Sequence, residues 1–197
     1  MEKDFELIIN SFIDNNIGVA DHFLSQNLAN QLKINLERLF DNKLLIKAGT
    51  GNAEKPVYDT TIRGDSIYWL DKKHENKYEN EFFTLIEDFI KYLNISCYAG
   101  ITDYEFHYSL YEIGSFYKKH LDQFQDNQKR QYSMISYLNE KWEEKDGGEL
   151  LIYQLNSNKK IAPNSCKTVF FKSNELAHEV LLTNERRMSV TGWLKST

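Results

Sequence analysis

The feature that most constrains the fold of this chain is a change of residue pattern near residue 100. Beyond that point, aromatic and β-branched residues fall into short segments that are separated by turn residues. Many short segments of this kind are typical of a sandwich or a jelly roll. The predicted strands are Tyr104–Tyr111, Phe116–Asp122, Gln131–Leu138, Glu149–Gln154, Lys159–Ile161, Lys167–Lys172, His178–Leu182 and Arg187–Leu194.

The first 95 residues instead show the spacing of amphipathic helices. One helix is expected around Phe5 to Ile13, a second after Ser25 as its N-cap, and a third from about Tyr78 to Leu93, with a short strand within Gly18 to Phe23. No repeat and no Gly/Ser linker divides the chain. We therefore predict one α+β domain over 1–197, with a helical part at about 1–95 that packs on one sheet of a jelly-roll core at about 100–195.

Composition and charge exclude several classes of protein. A net charge of −5 and a pI near 5.6, without a run of Lys and Arg, predict no nucleic-acid partner. No apolar run approaches the roughly 18 to 20 residues of a membrane span, and Met1–Asp4 does not resemble a signal peptide. Cys97 and Cys166 form neither a disulfide framework nor a structural zinc site. These features predict a cytoplasmic protein that does not associate with a membrane.

The candidate chemistry begins with His120 and Asp122. Residues i and i+2 of a strand point to the same face, so this imidazole and this carboxylate are expected to converge. One further histidine, for which His178 is the candidate, would complete the two-His, one-carboxylate set of non-haem Fe(II) oxygenases. Arg187 follows in the next strand, where a guanidinium can hold a ligand carboxylate with two hydrogen bonds. We expect His107 to be a satisfied histidine within the sheet.

Ordered motifs extend this pattern over about residues 45–195. They are the segments 62–69, 111–122, 130–142, 147–150, 178–180 and 187–193. Together they resemble the 2-oxoglutarate- and Fe(II)-dependent prolyl 4-hydroxylases, in the branch of the oxygen-sensing hydroxylases of animals and their bacterial relatives. The resemblance implies that the jelly-roll core is a double-stranded β-helix. It also implies that the loop from Ala48 to Thr61 closes over a peptide.

The resemblance assigns roles residue by residue. It implies that His120, Asp122 and His178 bind iron. It implies that 2-oxoglutarate contacts Arg187, Tyr137, Tyr111 and Ser133. It places Arg63, Asp65 and Trp193 beside the substrate. Met188 departs from the family, because an aromatic residue is usual after the arginine.

The implied activity is hydroxylation of a prolyl residue in a protein, with Fe(II), 2-oxoglutarate and O2, with release of succinate and CO2, and with ascorbate as a candidate reductant. A translation factor is a candidate substrate, and the oligomeric state stays open. Other readings remain: hydroxylation of another side chain or of a free amino acid, a jelly-roll module that binds metal and ligand without turnover, or a hydrolytic zinc site. A nucleic-acid demethylase is disfavoured by the acidic balance.

Overall fold

Antiparallel strands build the second half of the chain, as the sequence predicts. The computed structural model describes residues 2–49, 59–123, 129–155 and 157–196. Its strands are β1 (Gly18–Ala20), β2 (Ile46–Lys47), β3 (Ser66–Trp69), β4 (Asp103–Tyr111), β5 (Tyr117–His120), β6 (Arg130–Tyr137), β7 (Leu150–Ile152), β8 (Lys159–Ile161), β9 (Thr168–Lys172), β10 (His178–Val180) and β11 (Arg187–Lys195). Within the described residues these strands form two sheets, which confirms the α+β jelly-roll architecture.

The two sheets differ in size. The major sheet has seven strands in the order β1-β9-β6-β11-β4-β3-β2, and the minor sheet has four in the order β5-β10-β7-β8. The long strands β4 and β11 pair over their whole length, with Arg187 opposite Tyr111 and Lys195 opposite Asp103. Because both strands lie inside the major sheet, their side chains have fixed positions on its two faces.

Three helices precede the core: α1 (Glu2–Asn15), α2 (Gln26–Asp41) and α3 (Lys77–Cys97). Ser25 caps α2 as predicted, since its hydroxyl accepts a hydrogen bond of 3.1 Å from the backbone N–H of Leu28. Asn76 caps α3 in the same way, through the N–H groups of Tyr78 and Glu79. Two short 3-10 helices, Lys72–His74 and Glu144–Asp146, complete the regular structure of the described residues.

Aromatic packing joins the helices to the outer face of the major sheet. The ring of Phe89 in α3 lies 5.3 Å from Phe5 of α1, 5.5 Å from Phe23 and 5.5 Å from Phe170 of β9, measured between centroids. All four side chains are buried. Contacts of this size bury large apolar areas and so stabilise the helical layer on the sheet.

Strand alternation sends neighbouring residues of β4 to opposite faces. Phe106, Tyr108 and Leu110 belong to the core beneath the helices, whereas His107, Ser109 and Tyr111 line a cavity on the other side. A second apolar cluster, from β6 and β9 to β7 and β8, closes the space between the two sheets. The face of the major sheet that looks toward the minor sheet therefore carries the polar side chains of interest.

The sequence predicts the strands after residue 100 to within two residues of their observed ends. It does not predict β2 or β3, which are short and form the far edge of the major sheet. The expected strand within Gly18 to Phe23 is present as β1, and α3 extends to Cys97 rather than to Leu93. No helix among the described residues has both the length and the apolar character to cross a bilayer.

We expect Phe89→Ala to lower the free energy of unfolding by about 3 to 5 kcal/mol, because it leaves a cavity among three aromatic rings. Ile95→Ala on the same helix is the matched control, since Ile95 is 77% exposed and its loss should cost less than about 1 kcal/mol. Urea denaturation followed by circular dichroism measures both values. Equal losses in the two variants would contradict the packing described here.

Candidate active site

Two strands of the minor sheet bring two imidazoles into contact, with their ring planes tilted by 57°. His120 ends β5 and His178 begins β10, and the two residues are direct partners in the antiparallel register. Their ring centroids lie 4.3 Å apart. Asp122 completes the group: Oδ1 lies 3.4 Å from Nε2 of His120, and Oδ2 lies 3.6 Å from Nε2 of His178. We call these three residues the metal triad, because one ligand atom of each lies within 4.8 Å of the others.

The position of Asp122 differs from the prediction. The sequence suggests that His120 and Asp122 share one strand, but β5 ends at His120 and Asp122 lies in the bend that follows. Leu121, between them, is half exposed. The carboxylate therefore reaches the imidazoles by a turn of the backbone and not by strand alternation.

Backbone carbonyl groups orient both imidazoles of the metal triad. Nδ1 of His120 lies 2.7 Å from the carbonyl oxygen of Lys118, and Nδ1 of His178 lies 3.1 Å from that of Leu176. A carbonyl oxygen can only accept a hydrogen bond, so each Nδ1 carries a proton. With Nδ1 engaged in this way, Nε2 is the ring nitrogen that faces the carboxylate and that becomes the ligand atom when a metal replaces its proton.

Hydroxyl groups hold the carboxylate of Asp122 from the opposite side. Ser133 on β6 donates a hydrogen bond of 2.6 Å to Oδ2, and the hydroxyl of Ser173 lies 2.9 Å from that of Ser133. Both serines are fully buried. Ser133 makes its contact with the metal triad, whereas the resemblance assigned it to 2-oxoglutarate. Its side chain also does not line the cavity.

Electrostatics keep the metal triad in the charge state that a cation needs. Burial disfavours the ionised carboxylate, but the imidazoles of His178 and His120 and the hydroxyl of Ser133 outweigh it, and they hold the pKa of Asp122 below its usual range. Burial also lowers the pKa of His178. An anionic carboxylate beside neutral imidazole is the donor set that binds divalent transition metals.

The metal triad opens into a cavity of about 510 Å³ between the two sheets. Tyr111 and Arg187 line one region of it, and Ile46 and Trp69, which are both partly exposed, line another. A volume of this size accommodates a small ligand together with part of a larger one.

Arg187 is a buried cation with an unmatched donor. It is 1% exposed, its Nε donates a hydrogen bond of 2.8 Å to the carbonyl oxygen of Gly148, and its Nη2 has no partner within the described part of the chain. The guanidinium carbon lies 5.0 Å from the ring of Tyr111 and 5.1 Å from that of Tyr137. The hydroxyl of Tyr137 is buried beside Arg187, without a well-formed hydrogen bond to any described residue. Among the described residues no carboxylate forms an ion pair with Arg187, so this corner of the protein has the character of an anion site.

A second arginine, Arg63, contacts the ring of Tyr117, and that ring contacts His120 of the metal triad. Arg63 forms two hydrogen bonds of 2.7 Å to the carboxylate of Asp65. Its guanidinium carbon lies 4.2 Å from the ring centroid of Tyr117, and that ring is stacked on His120 at 3.6 Å. Burial opposes the charge of Arg63, but Asp65 outweighs it and raises the pKa of the guanidinium. Tyr117 lies within the first histidine motif, but its pattern alone does not mark it as a functional residue.

The third arginine of the site contacts Trp193. The guanidinium carbon of Arg130 lies 3.4 Å from the indole ring centroid of Trp193, and Nη2 pairs with Glu105 at 2.8 Å. Nη1 of the same residue donates to the carbonyl oxygen of Asp122 at 3.3 Å. Arg130 therefore connects the expected substrate residue Trp193 with the bend that carries the metal triad. Arg130 lies at the start of the motif 130–142, but the resemblance assigns it no role.

The loop that the resemblance implicates, Ala48 to Thr61, lies in large part outside the described residues, since 50–58 are not described. Its described ends are fixed near the site. The N–H of Ala48 donates to the carbonyl oxygen of Asp65 at 3.0 Å, and the carbonyl oxygen of Gly49 accepts a hydrogen bond of 3.2 Å from Arg63.

Comparisons with known proteins agree with this geometry. The model of the 2OG-Fe(II) oxygenase superfamily matches residues 106–195. A prolyl-4-hydroxylase from Pseudomonas putida is 29% identical, with 98% of this chain and 99% of that chain covered and a TM-score of 0.86. A prolyl hydroxylase from Trichoplax adhaerens, solved with a peptide of the hypoxia inducible factor, shares the fold at 22% identity, with 99% and 90% coverage and a TM-score of 0.88.

The family model covers the strands that carry the metal triad and Arg187. That family implies Fe(II) as the bound metal, with 2-oxoglutarate and O2 as co-substrates. Residues 106–195 match the 2OG-Fe(II) oxygenase superfamily, and this match together with the likeness to prolyl-4-hydroxylases identifies an Fe(II)- and 2-oxoglutarate-dependent dioxygenase that is prolyl hydroxylase-like.

Proposed function

We propose that this dioxygenase hydroxylates a prolyl residue of a peptide or protein and releases succinate and CO2. The observation that carries the proposal is the pair of unmatched donors, Nη2 of Arg187 and the hydroxyl of Tyr137, buried beside a cavity whose wall holds the metal triad. An oxo acid with a second carboxylate at its far end suits such a site, because one end can reach the metal and the other the guanidinium.

The metal triad fits Fe(II). Ligand atoms that lie about 2.1 Å from a divalent ion, at right angles to one another, are separated by about 3 Å. The observed separations of 3.4 and 3.6 Å are close to this value. Three protein ligands on one side leave positions for a co-substrate and for O2. Bound Fe(II) supplies the redox chemistry: one oxygen atom of O2 enters succinate as 2-oxoglutarate loses CO2, and the other converts a substrate C–H to C–OH.

Around that centre the residues of this chain bind, orient and exclude water. Arg187 and Tyr137 would hold the distal carboxylate of 2-oxoglutarate, with Tyr111 packed against the guanidinium. Gly148 fixes the direction of Arg187 through its carbonyl oxygen. Ser133 orients the carboxylate of Asp122, which is a positioning role and not a contact with co-substrate.

The substrate would enter past the partly exposed side chains of Ile46 and Trp69, toward Trp193 and the pair Arg63–Asp65. Aromatic rings suit a pyrrolidine ring, because both surfaces are apolar and flat. The similarity to a prolyl-4-hydroxylase at 29% identity supports proline as the target. We take a translation factor as the first protein to test and ascorbate as the first reductant, as the resemblance suggests.

Two other readings account for fewer of the contacts. A hydrolytic zinc site would use the metal triad but would leave the buried donors of Arg187 and Tyr137 without a ligand. A binding module without turnover has no evident need for both an open metal face and an anion site. We also propose that residues 1–197 act as one oxygenase domain, since the helices pack directly on the sheet whose other face lines the cavity.

We expect Arg187→Lys to raise the dissociation constant of 2-oxoglutarate at least about tenfold. Lysine keeps the positive charge but cannot donate two parallel hydrogen bonds to a carboxylate. Arg186→Lys is the matched control, since Arg186 is the exposed neighbour. Anaerobic calorimetric titration of the Fe(II)-loaded proteins measures both constants. An unchanged constant in the Arg187 variant would contradict the assignment.

We expect Ser133→Ala to weaken Fe(II) binding at least about tenfold, because the carboxylate of Asp122 loses the hydroxyl that orients it. Ser136→Ala is the control: Ser136 lies on the same strand and is also fully buried, but it pairs with Thr168 at 2.8 Å. Competition with a metal-sensitive dye under nitrogen measures both affinities. Equal weakening by the two substitutions would assign the effect to stability instead.

The proposed substrate class is tested with a library of blocked peptides, each with one central proline, and with free L-proline, in an atmosphere of ¹⁸O2. We expect one ¹⁸O atom in a prolyl peptide and one in succinate, with none in free proline. Label in free proline but in no peptide, or on a residue other than proline, would overturn the proposed substrate.

A further inference from the structure

His107 lies on the cavity face of β4 with only one of its ring nitrogens satisfied. It is 3% exposed, and Nδ1 lies 3.0 Å from the carbonyl oxygen of Tyr108 and 3.2 Å from the hydroxyl of Ser109. The carbonyl oxygen can only accept, so Nδ1 carries the proton and Nε2 is an acceptor. The described residues provide no hydrogen-bond partner for Nε2. The sequence predicts a histidine whose hydrogen bonds are satisfied within the sheet, and the structure shows this for Nδ1 alone.

The imidazole is neutral at physiological pH and is held between two indoles. Burial lowers the pKa of His107 to about 4. Its ring centroid lies 5.0 Å from that of Trp69 and 5.6 Å from that of Trp193. All three side chains line the cavity. Nε2 is thus an uncharged acceptor in an aromatic surrounding, and it is available to a donor group of a ligand in the cavity.

Trp193 adds the complementary group. Its Nε1–H is buried, and no described residue offers it an acceptor. The charged side chains nearby are already paired with each other: Arg63 with Asp65, and Arg130 with Glu105. A neutral donor and a neutral acceptor side by side suit an amide, which carries both functions without charge. The same surrounding is a poor one for the ammonium and carboxylate groups of a free amino acid.

We propose that His107 is a specificity-determining residue, whose Nε2 accepts a hydrogen bond from the backbone N–H that follows the target proline. This inference rests on the proposed prolyl hydroxylation. Proline itself has no N–H, so the amide on its carboxyl side carries the N–H that is covalently nearest to the pyrrolidine ring. An acceptor beside the ring pocket therefore selects a prolyl residue that continues into a secondary amide.

Two small probes isolate this hydrogen bond. N-acetyl-proline N-methylamide carries one N–H, whereas N-acetyl-proline N,N-dimethylamide carries none. We expect the protein loaded with Fe(II) and 2-oxoglutarate under nitrogen to bind the first about tenfold more tightly than the second. In His107→Met, which keeps an apolar side chain without a strong acceptor, that ratio should fall by about tenfold.

Two further variants refine the test. His107→Gln restores an acceptor at a similar distance from the backbone and should keep part of the preference. His22→Gln, at an exposed histidine outside the cavity, should behave as the wild type. The dimethylamide probe is larger by one methyl group, and this steric effect is common to every variant. Only the change between variants in the ratio of the two dissociation constants therefore reports on the hydrogen bond.

A measurement on the unaltered protein covers the case in which the His107 variants do not fold. In ¹⁵N spectra of the Zn(II)-loaded protein, Nε2 of His107 should have the resonance of an unprotonated nitrogen. It should move on addition of the N-methylamide and stay in place with the dimethylamide. Equal binding of the two probes by the wild type, binding of neither, or an unchanged ratio in His107→Met would overturn the inference.

The visible absorption band of the Fe(II)–2-oxoglutarate complex is recorded on the same samples. Its absence from the wild type would contradict the proposed function itself. A normal band without discrimination between the probes would contradict only the role of His107.

Discussion

The buried guanidinium of Arg187 is the constraint on which the rest of the site depends. A cation taken out of water is strongly unfavourable unless anions or acceptors surround it. The protein supplies one carbonyl oxygen, from Gly148, and two aromatic rings, but no carboxylate from the described residues. The fold therefore maintains a positively charged corner, and the proposed 2-oxoglutarate would supply its counter-charge and so stabilise the folded protein as well.

The position of this corner follows from strand pairing. Arg187 begins β11 opposite Tyr111 of β4, and six residues later the same strand carries Trp193. The inner face of the major sheet thus runs from an anion site to an aromatic region along one strand. The metal triad on the minor sheet faces this surface across the cavity. The proposed positions of co-substrate, metal and substrate are consequently ordered by the register of a few hydrogen-bonded strands.

The contacts around the metal triad also link it to the entrance. Tyr117 is stacked between His120 and the guanidinium of Arg63, and Arg63 in turn holds the described end of the 48–61 loop through Gly49. Arg130 makes the corresponding connection between Trp193 and the backbone of Asp122. Groups that would contact the substrate are therefore in direct contact with groups that would hold the metal.

The sequence alone predicts the strands after residue 100, because their alternating pattern and turn residues are local signals. It also predicts that His120, His178 and Arg187 come together around one cavity, because the motifs occur in a recognisable order. It does not predict the bend that carries Asp122, the contact of Ser133 with that carboxylate, or the free nitrogen of His107. Those features depend on which strands become neighbours and on which hydrogen bonds are already used, and neither is encoded within a short segment.

The central claim is that His120, Asp122 and His178 hold Fe(II) beside a 2-oxoglutarate site formed around Arg187. Anaerobic titration of the metal-free protein with Fe(II) and then 2-oxoglutarate tests it most directly, by the weak visible charge-transfer band of the complex. The account predicts a saturable band in the wild type and its loss in a folded Asp122→Ala variant. A folded wild-type protein without the band, or a band that survives in Asp122→Ala, would contradict the claim.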